Sequence, residues 1–98
     1  MTRQQTTHRA TKGYDSPVTC FVRDEAGPLD LTGKALSVNV RHYGHTRTRM
    51  TLAATQSEPG EVQFTFPIQD RYFSYDSLYR FTVTADGLPV YDALLEVI

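Results

Sequence analysis

DEAGPLDLTGKALSVNVR, residues 24–41, contains a chain reversal followed by a strand. Its first five residues combine acids, Gly and Pro, which supply the side-chain hydrogen bonds and special φ angles that reverse a chain. From residue 35 apolar and polar residues alternate, and the apolar ones are Leu36, Val38 and Val40. This period of two predicts a strand over 35–43 with one buried face, as in an antiparallel sheet.

The same alternation recurs along the rest of the chain. It predicts further strands over 18–23, 47–54, 61–66, 79–85 and 91–97. Turn residues separate them: 13–17, 56–60 and the hairpin dipeptide Asp86–Gly87. The segment 68–77 shows no period of two, and no segment has a convincing helical period. Six or seven short antiparallel strands at this spacing predict an all-β domain, a β-sandwich with Greek-key connections.

The 98 residues correspond to one domain, which we divide into a polar arm, 1–12, and a sandwich, 13–98. The arm contains Arg3, Arg9 and Lys12 and no acid. It is either disordered when isolated or an edge strand on a neighbouring chain. Both interpretations keep it out of the core. Neither a signal-peptide core nor a membrane-length apolar run is visible in the sequence, which predicts synthesis in the cytoplasm.

Charge is unevenly distributed along the sequence, although the net charge is only −1. Residues 1–57 contain eight Lys or Arg and four acids, whereas residues 58–98 contain two and seven. Two interpretations remain open: compensation within the folded molecule, or head-to-tail assembly through oppositely charged surfaces. The small net charge disfavours general nucleic-acid binding.

Sites for metal or catalysis are not indicated. Cys20 shares the phase of Val18 and Val22, which predicts a buried thiol. His42 and His45 are too few ligands for zinc and are interpreted as surface histidines. The loop acids, which invite a calcium interpretation but lack the spacing of a calcium loop, are Asp24, Glu25 and Asp30. Without a nucleophile, a base or a phosphate loop, we expect no enzyme activity, no cofactor and no small-molecule substrate.

Protein binding is the better prediction for the exposed basic and aromatic residues. Arg41, Arg47 and Arg49 surround Tyr43, and no acid occurs between Asp30 and Glu58. Arg and Tyr are favoured at interfaces. On the irregular segment, Tyr72 and Tyr75 are either further contacts or part of a lid over the core. The candidate protein-binding residues are Arg3, Arg9, Lys12, Arg41, Tyr43, Arg47, Arg49, Tyr72 and Tyr75.

Several of these turns and strands together resemble a known family. The matching features are a first turn at 13–17, the sequence D-x-x-G-x-x-D-L-T-G over 24–33, the strand of Leu36, Val38 and Val40, the turn at 59–62, the strand at 77–81 and the hairpin at 86–87. This pattern, over about residues 11–98, resembles the small immunoglobulin-like domain of phage baseplate upper proteins and related tail proteins.

The resemblance implies an immunoglobulin-like β-sandwich that is a structural protein of a bacteriophage virion. It would bind other proteins of the tail, baseplate or neck in multiple copies, away from membranes. Because the chain ends at Ile98 without a fibre module, we expect a stand-alone virion component. Two alternatives remain: a decoration protein of the capsid, and a carbohydrate-binding module, which would need an exposed row of aromatic side chains.

Overall fold

The computed structural model describes residues 6–69, 73 and 77–98, which are arranged almost entirely in strands and turns. The strands are β1 Thr7–Ala10, β2 Ser16–Phe21, β3 Arg23–Asp24, β4 Gly27–Pro28, β5 Leu36–His42, β6 Met50–Ala53, β7 Thr55–Glu58, β8 Glu61–Phe66, β9 Ser77–Ala85 and β10 Leu88–Val97. One sheet has the order β1-β10-β9-β5-β6, and the second has the order β2-β8-β7. A small hairpin of β3 and β4 lies beside them. The prediction of an all-β sandwich is confirmed.

The hairpin of β9 and β10 forms the centre of the five-stranded sheet. Its two turn residues, Asp86 and Gly87, have φ angles of 50° and 82°. Positive φ at both positions is typical of a type I′ turn, whose twist matches that of the flanking strands. The carboxylate of Asp86 also accepts a hydrogen bond of 2.8 Å from the backbone N–H of Ala35. The predicted hairpin is therefore confirmed.

The chain passes from one sheet to the other at Ala54. Before it, β6 pairs with β5; after it, β7 pairs with β8. The prediction of a turn over 56–60 is wrong for the residues of β7, and only Pro59–Gly60 reverses the chain. The side chain of Gln56 explains the difference. Its Oε1 accepts hydrogen bonds from the backbone N–H groups of Leu31 (2.7 Å) and Gly60 (3.2 Å), which fixes it in an extended segment.

The core lies between the two sheets and follows the predicted faces. Val38 and Val40 of β5 are fully buried, as is Phe81 of β9. Phe81 packs edge-on against Phe64 and Phe66 of the opposite sheet, with ring centroids 5.6 and 5.1 Å apart. Aromatic pairs at these distances add to the free energy of burial. These contacts join the two sheets.

β1 corrects the expectation that the arm stays outside the core. Thr7–Ala10 pairs in parallel with β10 of the same chain, and Ala10 is only 5% exposed. The backbone N–H of Leu94 donates a 3.0 Å bond to Thr6, and the N–H of Ile98 donates one of 2.9 Å to Ala10. The polar composition of the arm concealed this strand, because an edge strand needs few apolar residues. With β1 and β7, the two sheets contain eight strands rather than six or seven.

His8, on the inner side of β1, closes one side of the core. Its ring packs edge-on against Phe81 with centroids 5.4 Å apart, and its Nε2 lies 3.3 Å from the hydroxyl of Tyr91. Burial lowers the pKa of His8, which favours the neutral ring in the folded protein. Tyr91 also approaches Cys20 of β2, so the three side chains connect the two sheets.

Cys20 is 1% exposed, as predicted for a packed thiol. Its neighbour Phe21 points to the other side of β2 and is 57% exposed. Desolvation raises the pKa of the Cys20 thiol to about 12, outweighing the hydrogen bond with Tyr91, which lowers it. The thiolate is therefore nearly absent at neutral pH.

We expect iodoacetamide to alkylate Cys20 of the native protein very slowly. Because the thiol pKa rises from 9.0 to about 12, the reactive thiolate at pH 8 is about 1000-fold scarcer than in an unhindered thiol. Mass spectrometry of timed samples, with the protein unfolded in urea as the reference, measures both rates. Equal rates in the two samples would contradict the buried position of this residue.

Candidate protein-binding face

The outer side of the five-stranded sheet is a continuous face that no other described element covers. The side chains that point outward come from β10, β9 and β5, in register across the strands. One row joins Leu94, Arg80 and Arg41. The next row toward the β9–β10 hairpin joins Asp92, Thr82 and Asn39. We call this surface the outer face.

A network of hydrogen bonds fixes the charged side chains of the outer face. Arg80 binds both carboxylate oxygens of Asp92, with Nη2–Oδ2 at 2.7 Å and Nε–Oδ1 at 3.2 Å. The hydroxyl of Thr82 donates to Asp92 Oδ1 at 3.1 Å, and Arg41 Nη1 donates to that hydroxyl at 3.5 Å. A two-point contact between Arg and carboxylate restricts the guanidinium strongly. The network therefore holds side chains from β5, β9 and β10 in one arrangement.

Arg80 is the centre of this network. The hydrogen bond to Asp92 raises the pKa of Arg80 most, followed by the attraction of the Asp92 charge, and the Tyr43 hydroxyl adds a smaller effect. Arg80 and Asp92 remain more than a third exposed, so their ion pair contributes little to stability. We interpret the pair as one that orients groups for contact rather than one that maintains the fold.

Tyr43 and two arginines lie at the end of β5 farther from the β9–β10 hairpin. Tyr43 follows β5 directly and is 54% exposed. Its N–H donates to the carbonyl of Leu78 at 3.0 Å, which fixes its position beside β9. Arg47 and Arg49 lie in the exposed loop before β6, and Arg49 is bonded through its N–H to Val40. We call Arg41, Tyr43, Arg47, Arg49 and Arg80 the arginine patch.

His42 is the last residue of β5, and His45 lies in the loop that follows it. Their ring centroids, His42 to His45, are 6.0 Å apart, and His42 stacks on the buried Tyr79 at 4.8 Å. Desolvation first, and then the charges of His45 and Arg49, lower the pKa of His42. Within 6–69, 73 and 77–98, no group of three His, Cys, Asp or Glu side chains is placed to hold a metal ion.

The other predicted site residues are more dispersed. Arg9 lies on the outer face at its β1 edge, with Nε 3.6 Å from Glu96 Oε1. Lys12 lies in the turn after β1, where its N–H donates to the Ile98 carbonyl at 2.9 Å. The remaining three candidates, Arg3, Tyr72 and Tyr75, lie outside the described residues. The structure therefore brings together Arg41, Tyr43, Arg47 and Arg49, with Arg9 at the far edge.

Sequence reasoning missed Arg80 and Asp92. The two-residue turn sets the register of β9 with β10 at the hairpin. If that register continued along both strands, Arg80 would lie opposite Ala93. A bulge at Val90, between Pro89 and Tyr91, shifts the register by one residue and places Arg80 opposite Leu94 instead. Since such a shift moves every later side chain to the other face, Asp92 points outward beside Arg80. The alternation on β9 and on β10 places Arg80 and Asp92 on outward faces, but it does not indicate that the two side chains meet.

The loop acids lie at the opposite end of the sandwich and stabilise their own turns. Asp24 Oδ1 accepts a 2.8 Å bond from the N–H of Ala26, and Asp30 Oδ1 accepts one of 3.0 Å from the N–H of Thr32. The hydrogen bonds of Thr32 to Asp30, followed by that of Gln56, lower the pKa of the Asp30 carboxyl. The carboxylate oxygens of Asp24 and Asp30 therefore accept hydrogen bonds within their own turns, which is a structural reason for acids at these positions.

A groove of about 760 Å³ opens beside Ala54, where the chain changes sheets. Its lining combines apolar and neutral polar side chains: Pro17, Val18, Thr19, Leu52, Ala53, Ala54, Thr55, Gln63, Phe64 and Thr65. None of these is titratable, so the groove offers no group for acid–base chemistry. Among the described residues, no helix has the length and apolar character needed to cross a membrane.

Among solved structures, the chain is similar to the Lin-41 filamin domain. The TM-score is 0.54 at 18% sequence identity, over 92% of this chain and 82% of that one. A chain of the ZIG-8–RIG-5 IG1–IG1 heterodimer matches with a TM-score of 0.49 and 10% identity, over 97% and 83% of the two chains. No protein-family model and no curated protein sequence matches this chain.

The fold is therefore an immunoglobulin-like β-sandwich. At 18% identity the likeness concerns the fold alone, since one fold hosts many functions. These comparisons do not test the resemblance to phage baseplate domains, which stays a prediction.

Proposed function

We propose that this chain is a non-enzymatic protein-binding module that assembles in multiple copies through its arginine patch. Following the resemblance in sequence, we propose further that it is a structural protein of a bacteriophage virion. The tail, baseplate or neck is the preferred place, with the capsid surface as the alternative. The main support for protein binding is the arginine patch itself, which includes residues of a sheet face that no described element covers.

The composition of the patch and the fixed position of Arg80 support protein binding. Arg and Tyr are enriched where interfaces are most strongly stabilised, because each combines a large contact area with hydrogen-bonding groups. Asp92 already fixes Arg80, so a partner would lose less side-chain entropy when it binds that guanidinium. A sheet is also a rigid platform, which suits a module that must dock repeatedly in the same orientation.

The sugar-binding alternative has less support. The buried Tyr79 and the half-buried Tyr91 cannot belong to an exposed aromatic row. The exposed aromatic residues among those described are Tyr14, Phe21 and Tyr43, and Phe21 lies at the opposite end of the sandwich from Tyr43. A planar sugar-stacking surface is therefore not favoured by the described aromatic side chains.

The virion proposal predicts that purified phage particles contain this chain at a fixed copy number. Mass spectrometry against a labelled standard of the protein measures that number. A small multiple of the rotational symmetry of the tail would support the tail, baseplate or neck. A count in the hundreds would favour the capsid or tail surface, and absence from particles would overturn the virion proposal.

A pair of charge variants tests the patch. We expect R47E/R49E to reduce incorporation into particles at least about tenfold, because charge reversal at an interface costs both attraction and association rate. The matched control is R23E/K34E, which changes the net charge equally at the other end of the sandwich. Thermal unfolding should be similar for both variants, since all four side chains are exposed. Equal incorporation of the two variants would contradict a role for the patch.

A further inference from the structure

The folded molecule separates its charges between its two ends. The turns at the end that contains the β9–β10 hairpin hold six described acids against two basic residues, Arg23 and Lys34. These acids are Asp24, Glu25, Asp30, Glu58, Glu61 and Asp86. We call this set the acidic end. The arginine patch lies at the other end of β5, whose residues run from beside Asp86 to beside Tyr43.

This separation is too large for compensation within the molecule. β5 has seven residues, which at about 3.3 Å each span about 23 Å. The Debye length at physiological ionic strength is about 8 Å, so exposed charges this far apart are largely screened from each other. Two ion pairs do join the basic and acidic halves of the sequence, Arg9 with Glu96 and Lys34 with Asp86. The arginine patch and the acidic end, however, lie too far apart to compensate each other, so they remain oppositely charged surfaces.

Two features of the acidic end are unfavourable for an isolated molecule. Glu58 and Glu61 are paired directly across the β7–β8 turn, although like charges in opposite positions are destabilising. Their mutual hydrogen bond is the main cause that raises the pKa of Glu61. Phe21, 57% exposed, lines the same recess as these carboxylates, together with Arg23, Pro28 and Pro59. An exposed aromatic ring beside carboxylates is a surface that suits a guanidinium, which binds both.

We propose that a second copy of this chain docks its acidic end on the arginine patch of the first, in a head-to-tail arrangement. This rests on the proposed function and names the partner for the patch. Arg47 and Arg49 reach the recess formed by Phe21, Glu58 and Glu61 of the next copy. Within the described residues, neither arginine has an acidic partner of its own.

The contact uses different surfaces on the two copies, so each copy keeps one unused end. Such an interface forms a ring when the rotation between copies closes, and an open filament when it does not. In a symmetric particle, a ring of another virion protein would fix the rotation between copies of this chain and their number. The proposal therefore accounts for repeated assembly with one small domain and one kind of contact.

The experiment begins with the self-association of the complete 98-residue chain. Sedimentation equilibrium in about 50 mM salt should give an average mass that rises with concentration above the 11.1 kDa monomer. In about 500 mM salt the association should weaken at least about tenfold, because screening reduces contacts between opposite charges. A monomer at all concentrations in low salt would overturn the proposal.

Charge reversal then separates head-to-tail contact from other associations. R47E/R49E and E58K/E61K should each be monomeric alone. An equimolar mixture should associate, because the intact acidic end of one variant meets the intact patch of the other, and the two reversed ends are again opposite in charge. The chain with all four reversals should associate again. The control T19E/T65E adds acids at two exposed positions of the second sheet, outside both the arginine patch and the acidic end, and should associate like the unaltered chain. A mixture that stays monomeric would overturn the proposal.

The same variants distinguish this inference from the proposed function. If the unaltered chain is monomeric but R47E/R49E still loses incorporation into particles, the patch binds another protein and only the self-docking inference fails. If the chain self-associates as described but is absent from particles, the self-docking stands and the virion proposal fails.

Discussion

Replacement of Val38 with Asp is expected to leave the protein unfolded. Val38 is fully buried in the middle of β5, between Leu52 of β6 and Val83 of β9. An aspartate there would lose the transfer free energy of the valine and bury a carboxyl without a partner. Together these effects cost about 5 kcal/mol or more, which is comparable to the total stability of about 5–15 kcal/mol for a small domain.

The matched control is Asn39→Asp, which adds the same charge one residue further along the strand. Asn39 points to the outer face, and its Oδ1 accepts a hydrogen bond from the Thr51 hydroxyl at 3.3 Å, a role that a carboxylate retains. Far-ultraviolet circular dichroism and urea titration should show a folded control and an unfolded Val38→Asp variant. A cooperative urea transition in both variants would contradict the assignment of the inner face.

Replacement of Gly60 with Ala is expected to destabilise the fold by about 2–4 kcal/mol. Gly60 has a φ of +81°, and an added Cβ would lie 2.8 Å from the Val22 carbonyl oxygen and 2.9 Å from Pro28 Cβ. Its own carbonyl accepts a 2.7 Å bond from the N–H of Val22, so the two segments cannot separate without losing that bond. The unfavourable φ and the backbone contact therefore act together.

Gly13→Ala is the control that separates these two effects. Gly13 has a φ of +86°, and an added Cβ would meet nothing within 4 Å, so only the conformational cost of about 1 kcal/mol applies. Thermal unfolding should show a decrease of about 10 °C or more for Gly60→Ala and a clearly smaller one for Gly13→Ala. Equal decreases would mean that the approach of β4 to this turn is less close than described.

Period-two alternation predicted the strands that have one buried face, because burial on one side imposes that period. The buried and less buried positions of β5 and β8 follow it residue by residue, and those of β9 follow it up to Thr84, which is also buried. The same reasoning failed for β1 and β7, whose residues are mostly polar and exposed. Those two strands are held by backbone pairing and by single side chains such as Gln56 and His8, and neither kind of contact leaves a periodic pattern.

The candidate site was only partly predictable for a related reason. Four residues of the patch lie close together in the sequence, so the composition of that segment predicts them: Arg41, Tyr43, Arg47 and Arg49. Arg80 and Asp92 join them through strand pairing over about 40 residues of chain, and the bulge at Val90 sets that pairing. The alternation along β10 places Asp92 on the outward face. A bulge depends on packing around the strand rather than on a sequence signal, so the position of Asp92 beside Arg80 could not be predicted.

The parallel pairing of β1 with β10 has a consequence for folding on the ribosome. β1 is synthesised before every other described strand, but its pairing partner is the last of them to leave the ribosome. Until then His8 and Ala10 have no sheet edge to join, and Phe81 lacks one of its covering side chains. The docking of the N-terminal strand is therefore expected to complete folding after synthesis of the domain, as the step that closes the longest chain loop.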